Sequence, residues 1–110
     1  MGYRSDICIA IDNEVKAWAL IADNWPSLLN EADKTENDTD ATFFWMEGWK
    51  WYESYSEVEE VMKFFTAIDK QFETKVAYAF VRIGEDPDDT EVHGGLATFG
   101  LELCRAIVRY

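Results

Sequence analysis

Residues 56–83 read SEVEEVMKFFTAIDKQFETKVAYAFVRI, and the hydrophobic period changes within them. Val58, Val61, Met62, Phe65, Ile68 and Phe72 recur at spacings of three and four, with Glu59, Glu60, Lys63 and Lys70 turned away. That is the stripe of an amphipathic helix. Ser56-Glu57-Val58-Glu59 at its head has the form of a capping box, the serine accepting from a free N–H while Glu59 reaches back. From Lys75 to Ile83 the chain is rich in β-branched and aromatic residues and Gly84 ends the run, which predicts a strand.

Upstream, Ile7-Cys8-Ile9-Ala10-Ile11 is an apolar run with a β-branched residue at every second place, which reads as a strand with both faces at least partly covered. Asp12 and Asn13 cap a helix from about Glu14 to Asp23, with Val15, Trp18, Ala19 and Ala22 on one stripe. Pro26 interrupts it, and Ser27 to Ala32 reads as a further helical turn. Glu31 to Asp40 (EADKTENDTD) lacks any apolar residue larger than alanine and reads as a solvated loop. Ala41 to Tyr52 (ATFFWMEGWKWY) reads as a strand or a bent pair of strands, with Glu47-Gly48 a bulge or turn.

Downstream, Glu85 to Asp89 is a turn, Thr90 to His93 a short strand and Gly94-Gly95 a break. Leu101 to Tyr110 reads as a strand, with a helix beginning over Leu101 to Arg105 as the alternative. The expected fold is α+β, a two-layer sandwich in which two helices cover one face of a sheet of four to five strands. The 110 residues suffice for a single domain over 1–110 and are too few for two sound cores.

Twenty-two acidic against ten basic side chains leave a formal net charge of −12. An excess of that size repels phosphate backbones and anionic membranes, so direct nucleic-acid or membrane binding is not expected, whereas a partner with a basic groove is favoured. Acidity also keeps a protein soluble, which is the plainer reading of the same charge. Cys8 and Cys104 stand far apart inside apolar runs, the placement of buried free thiols in a reducing compartment, with a disulfide between first and last strands as the alternative. No apolar stretch approaches a membrane span and the first residues have no signal-peptide core, so the expected location is cytoplasmic.

His93, the sole histidine, sits beside two glycines in what reads as a free loop, and no nucleophile motif accompanies it. Two distant cysteines and one histidine do not make a zinc site, and Asp86, Asp88, Asp89 and Glu91 lack the mid-loop glycine and distal glutamate of a calcium loop. Neither Walker nor dinucleotide-binding glycine patterns occur. The expectation is a non-enzymatic protein without metal or cofactor.

Two surfaces remain as candidates. One is formed by carboxylates standing in for phosphates on a basic partner: Glu31, Asp33, Glu36, Asp38 and Asp40, then Glu53, Glu57 and Glu60, then Glu85, Asp86, Asp88 and Asp89. The other is a sheet face on which Arg4, Tyr78, Arg82, Arg105 and Arg109 gather for an anionic or planar ligand such as a nucleotide signal, or else pair with neighbouring acids. A structural or assembly role without either site is the third reading.

Gly2-Tyr3-Arg4-Ser5-Asp6-Ile7, Trp49-Lys50-Trp51-Tyr52-Glu53-Ser54-Tyr55 and Arg82-Ile83-Gly84-Glu85-Asp86 together resemble a group of small acidic proteins encoded by bacteriophages and prophages. The resemblance spans most of the chain and carries no functional residues with it. It implies a context: a phage product in a bacterial cytoplasm, near anti-CRISPR or anti-restriction proteins, inhibiting a host nuclease or other nucleic-acid-binding protein.

Overall fold

The computed structural model describes residues 3–86, 88–103 and 106–110. The fold is α+β: two α-helices and a five-stranded antiparallel sheet in the order β2-β3-β1-β4-β5. The strands are β1 (Ser5–Asp12), β2 (Lys34–Asn37), β3 (Ala41–Trp49), β4 (Tyr78–Gly84) and β5 (Thr90–Gly94). The helices are α1 (Asn13–Ile21) and α2 (Ser56–Gln71), and a 3-10 helix follows α1 over Ser27–Glu31.

Strand β1 is the centre, paired with β3 on one side and β4 on the other. Its side chains alternate between two apolar layers. Ile7, Ile9 and Ile11 enter a cluster with Val15, Ala19, Val58, Val61, Phe65, Ile68, Tyr78 and Phe80, so both helices lie on that face. Cys8 and Ala10 enter a second cluster with Phe43, Ala79, Val81 and Leu101 on the opposite face. Burial on both faces is the reason Ile7 to Ile11 of β1 is apolar without interruption.

The second layer comes from the C-terminal segment. Here β6 (Leu101–Leu103) and β7 (Ile107–Arg109) pair as a separate two-stranded ribbon, preceded by a 3-10 turn over Ala97–Phe99. Leu96, Phe99, Leu103 and Ile107 pack on the sheet from this side. The face that the two-layer expectation left without helices is therefore covered, and a third layer is added to the helix–sheet pair.

Local starts and stops follow side-chain chemistry. The Asp12 carboxylate accepts from the Glu14 N–H at 2.8 Å and caps α1, which ends at Ile21 ahead of Asp23, a non-glycine residue at φ 55°. At the Glu47-Gly48 bulge, Gly48 adopts φ 65°, its N–H donates to Asp6 Oδ1 at 2.9 Å, and the β1–β3 register shifts between Ser5 and Ile7. Glycine is required there because other residues resist that backbone conformation.

Four expectations need correction. The Glu31 to Asp40 segment is not all loop, since Lys34–Asn37 forms the edge strand β2 against Thr42–Trp45. The exposed edge of β3 supplies a partner that no local propensity announces. The capping box of α2 does not close: the cap is Tyr55, whose carbonyl accepts from the Glu59 N–H at 3.0 Å, while Glu59 pairs with Lys63 and Ser56 Oγ donates to Glu57. Ser56 lies one residue inside the helix and cannot act as its cap. His93 belongs to β5, in keeping with the strand expected over Thr90 to His93 and against the free-loop reading of the histidine, its ring 5.6 Å from Phe80. Finally, Phe64 is buried as fully as Phe65, so the core stripe of α2 is wider than expected, and Met62 lies at its margin.

Candidate functional site

The strands start and stop so that Tyr3, Arg4, the end of β3, the end of β4 and the start of α2 share one end of the sheet. Tyr3 ties this end together. Its backbone N–H donates to the Tyr52 hydroxyl at 2.6 Å, and its own hydroxyl donates to Asp89 Oδ2 at 2.8 Å while accepting from the Asp86 N–H at 3.0 Å. Arg4 N–H donates to Glu85 Oε1 at 2.9 Å. The turn at 85–89 and the segment 52–57, thirty residues apart in sequence, thus adjoin through one tyrosine.

The tie perturbs the titrating groups it uses. The Asp86 amide donating to the Tyr3 phenol lowers its pKa, but desolvation and the Asp89 and Asp86 charges outweigh that and raise it overall. Asp89 is held below the usual carboxylate value, first by the Arg82 guanidinium and then by the Tyr3 hydroxyl.

At this end Glu53, Glu57, Glu85, Asp86 and Asp88 are exposed and have no cationic partner among the described residues. Arg4 spends its guanidinium on the Gly48 carbonyl at 2.8 Å. Tyr52 and Tyr55 stack edge to face at 5.1 Å, and Tyr3 and Tyr55 are each 37% exposed. Beside the first turns of α2 the surface dips into a groove of about 590 Å³, lined by Asp23, Asn24, Trp25, Ser56, Glu59, Glu60, Lys63, Phe64 and Ala67. Aromatic walls with a carboxylate rim suit an alkyl chain ending in a cation.

Of the other acids expected at a partner surface, Asp33, Glu36, Asp38, Asp89 and Glu60 are engaged within the chain. Asp33 Oδ2 accepts from the Glu47 N–H and from Trp49 Nε1. Glu36 accepts from Trp45 Nε1 at 2.6 Å and pairs with Lys34 and Arg109. Asp38 is ion-paired with Arg109, and its pKa is lowered first by the Thr39 amide and then by that arginine. Asp89 is clasped by Arg82, and Glu60 accepts from the Ser27 N–H at 3.2 Å. Glu31 and Asp40 are exposed and have no ionic partner among the described residues, Asp40 lying with Asp38 at the opposite end of the sheet from the 85–89 turn.

The arginine face does not assemble. Tyr78 is buried beneath α2, stacked on Phe65 at 4.6 Å, with its hydroxyl donating to Asp69. Burial, then the Asp69 charge, pushes its pKa up to about 12. Arg82 lies on that same helix-covered side, opposite Ile7 in register, and is bound by Asp89, Glu91 and Ser5 Oγ. Arg109 lies on the other side of the sheet, its guanidinium 4.0 Å from the Phe43 ring centre. Arg4 is at the strand end, and Arg105 falls outside the described residues. The antiparallel register Ile9↔Phe80 puts Tyr78, Phe80 and Arg82 on the isoleucine face of β1, so strand parity within single strands could not have aligned them with Arg4 or Arg109.

Compared with protein families, curated proteins and solved structures, the chain matches none. Among the described residues, no three His, Cys, Asp or Glu side chains are arranged to hold a metal ion, and no helix is long and apolar enough to cross a membrane. The residues missed in sequence are the tyrosines: Tyr3 reaches Asp89 across 86 positions, a separation at which no spacing pattern gives a signal.

Proposed function

We propose that this protein is a non-enzymatic binding module whose acidic, tyrosine-bearing end engages a basic surface on another protein. The observation that carries the reading is the Tyr3 tie, which joins Glu85, Asp86 and Asp88 to Glu53 and Glu57 around Tyr3, Tyr52 and Tyr55. Carboxylates without internal cations keep their charge available to a partner, and tyrosines supply rigid contact area at low entropic cost. The neighbouring groove with Trp25 and Phe64 extends the same surface for lysine or arginine side chains.

The partner class that fits is a protein with a nucleic-acid-binding groove, whose phosphate contacts these carboxylates replace. The resemblance to phage proteins supports, by analogy, a host defence nuclease or other nucleic-acid-binding protein in a bacterial cytoplasm as that partner. Burial of Tyr78 and the internal pairing of Arg82 and Arg109 favour this reading over a nucleotide-binding sheet face.

Titration of isotope-labelled protein with an oligoarginine peptide tests it. Amide shifts should concentrate at Tyr3, residues 52–57 and residues 85–89, and should shrink steeply as salt rises. Shifts spread evenly over all exposed acids, or centred on β2, would overturn the assignment.

A further inference from the structure

Among the described residues, strand β5 has a strand partner on one side only, β4. Two hydrogen bonds fix which backbone groups it leaves free: Gly84 N–H to the Asp89 carbonyl at 2.8 Å and Gly95 N–H to the Tyr78 carbonyl at 3.1 Å. Antiparallel ladders alternate, so Asp89, Glu91, His93 and Gly95 turn their backbone groups to β4, and Thr90 and Val92 turn theirs outward. Val92 is 43% exposed. On the adjacent face His93 Nε2 lies 2.8 Å from Glu91 Oε2.

We propose that β5 pairs antiparallel with β5 of a second copy of this chain, about a two-fold axis at Val92. In that register Val92 and the partner's Val92 exchange both N–H···O=C bonds, and Glu91 stands opposite the partner's His93. His93 likewise meets the partner's Glu91. The sequence Glu-Val-His is self-complementary only about this centre, and directly opposed side chains in a non-hydrogen-bonded pair come close enough to bond.

Two copies each carrying −12 associate only if their acids are kept apart. Here they are: in this register Thr90 stands opposite the partner's Gly94, and Asp89 comes beside the start of the segment 94–100 (GGLATFG), which has no charged residue. The other sheet edge contrasts with this one. Strand β2 begins with Lys34, a residue that discourages edge pairing, whereas Thr90–Gly94 contains neither lysine nor proline. The result is one sheet continued across the axis, with helices on one side and ribbons on the other.

Sedimentation velocity of the full chain over a range of concentrations tests the pairing. The expected result is a concentration-dependent dimer that Val92→Pro abolishes, because the Val92 N–H is unused by β4 and proline is tolerated at such an edge position. His93→Glu, which opposes glutamates twice, should weaken the dimer about tenfold or more, while His93→Lys should preserve it. The two histidine variants decide the matter if circular dichroism shows Val92→Pro unfolded. A monomer at every concentration overturns the proposal, as does a dimer indifferent to Val92→Pro and His93→Glu alike. Protection of the Val92 amide that arises only when a different protein is added would assign the edge to that protein and overturn self-pairing.

Discussion

Arg82 and Asp89 form a two-pronged ion pair, Nη2 to Oδ1 at 2.9 Å and Nη1 to Oδ2 at 3.2 Å, and the second of those oxygens also takes the Tyr3 hydroxyl. Arg82 is only 14% exposed at its side chain, so the pair closes the sheet end under the acidic turn. Fork-on-fork geometry of this kind is directional as well as attractive.

Asp89→Asn should therefore loosen the 85–89 turn and release Tyr3. Because the Asp89 side chain is 40% exposed, solvent screening keeps the cost small. The pH sign follows from the lowered pKa: the contribution is complete above the ordinary value of 3.8 and is lost as pH falls through the lower folded value. Urea melts of wild type and variant should differ at neutral pH and converge in acid. A difference that persists at low pH would show that the charge is not what matters.

Phe65→Ala should destabilise the domain by about 3–5 kcal/mol. The ring is 3% exposed, stacked on Tyr78 at 4.6 Å and tilted against Phe80 at 5.6 Å, so truncation leaves a cavity between helix and sheet. Chemical denaturation measures the loss, and a variant as stable as wild type would mean that the core closes around the gap.

Cys8 is free and fully buried beneath the C-terminal ribbon. Burial first, then the Glu36 charge, raises its pKa to about 12, with Arg109 partly opposing. Native protein at pH 8 should thus resist iodoacetamide at Cys8 and react on unfolding. Rapid native labelling would show that the ribbon lifts from the sheet. Cys104, expected as the second free thiol, lies outside the described residues, and intact mass after alkylation of the unfolded chain reads both.

Charge removal should separate binding from folding. Glu53→Gln, Glu57→Gln, Glu85→Gln and Asp88→Asn together should leave the melting temperature within a few degrees, weaken oligoarginine binding mainly through k_on, and flatten its salt dependence. Glu36→Gln with Asp38→Asn should do the reverse. These strip Arg109 of its ionic partners and destabilise the ribbon, with little effect on the peptide. Equal effects of both sets on affinity would reduce the acidity to a matter of solubility.

The elements with their own local chemistry were legible before any tertiary contact. The 3-4 spacing from Val58 to Ile68 placed α2, the isoleucine alternation placed β1, Asp12 announced its cap, and Glu47-Gly48 announced a bulge. Where the sequence misled, the deciding partner was remote. Lys34–Asn37 becomes a strand because β3 offers an edge, and Ser56 loses its capping role because Tyr55 already supplies the cap position.

Sequence by itself determined the α+β class, the helices, the apolar centre of the sheet and the excess of acid, since each rests on periodicity or composition within a few residues. Tertiary structure alone decided which acids remain free and which arginines are occupied. Arg109 meets Asp38 across 71 positions, Arg82 meets Ser5 across 77, and Tyr3 meets Asp89 across 86. Strand parity states that two side chains share a face of their own strand, but only the register between strands states which faces coincide. That register is a property of the packed sheet, and with it the arginine face dissolved while Tyr3 came to link Tyr52 with the 85–89 turn.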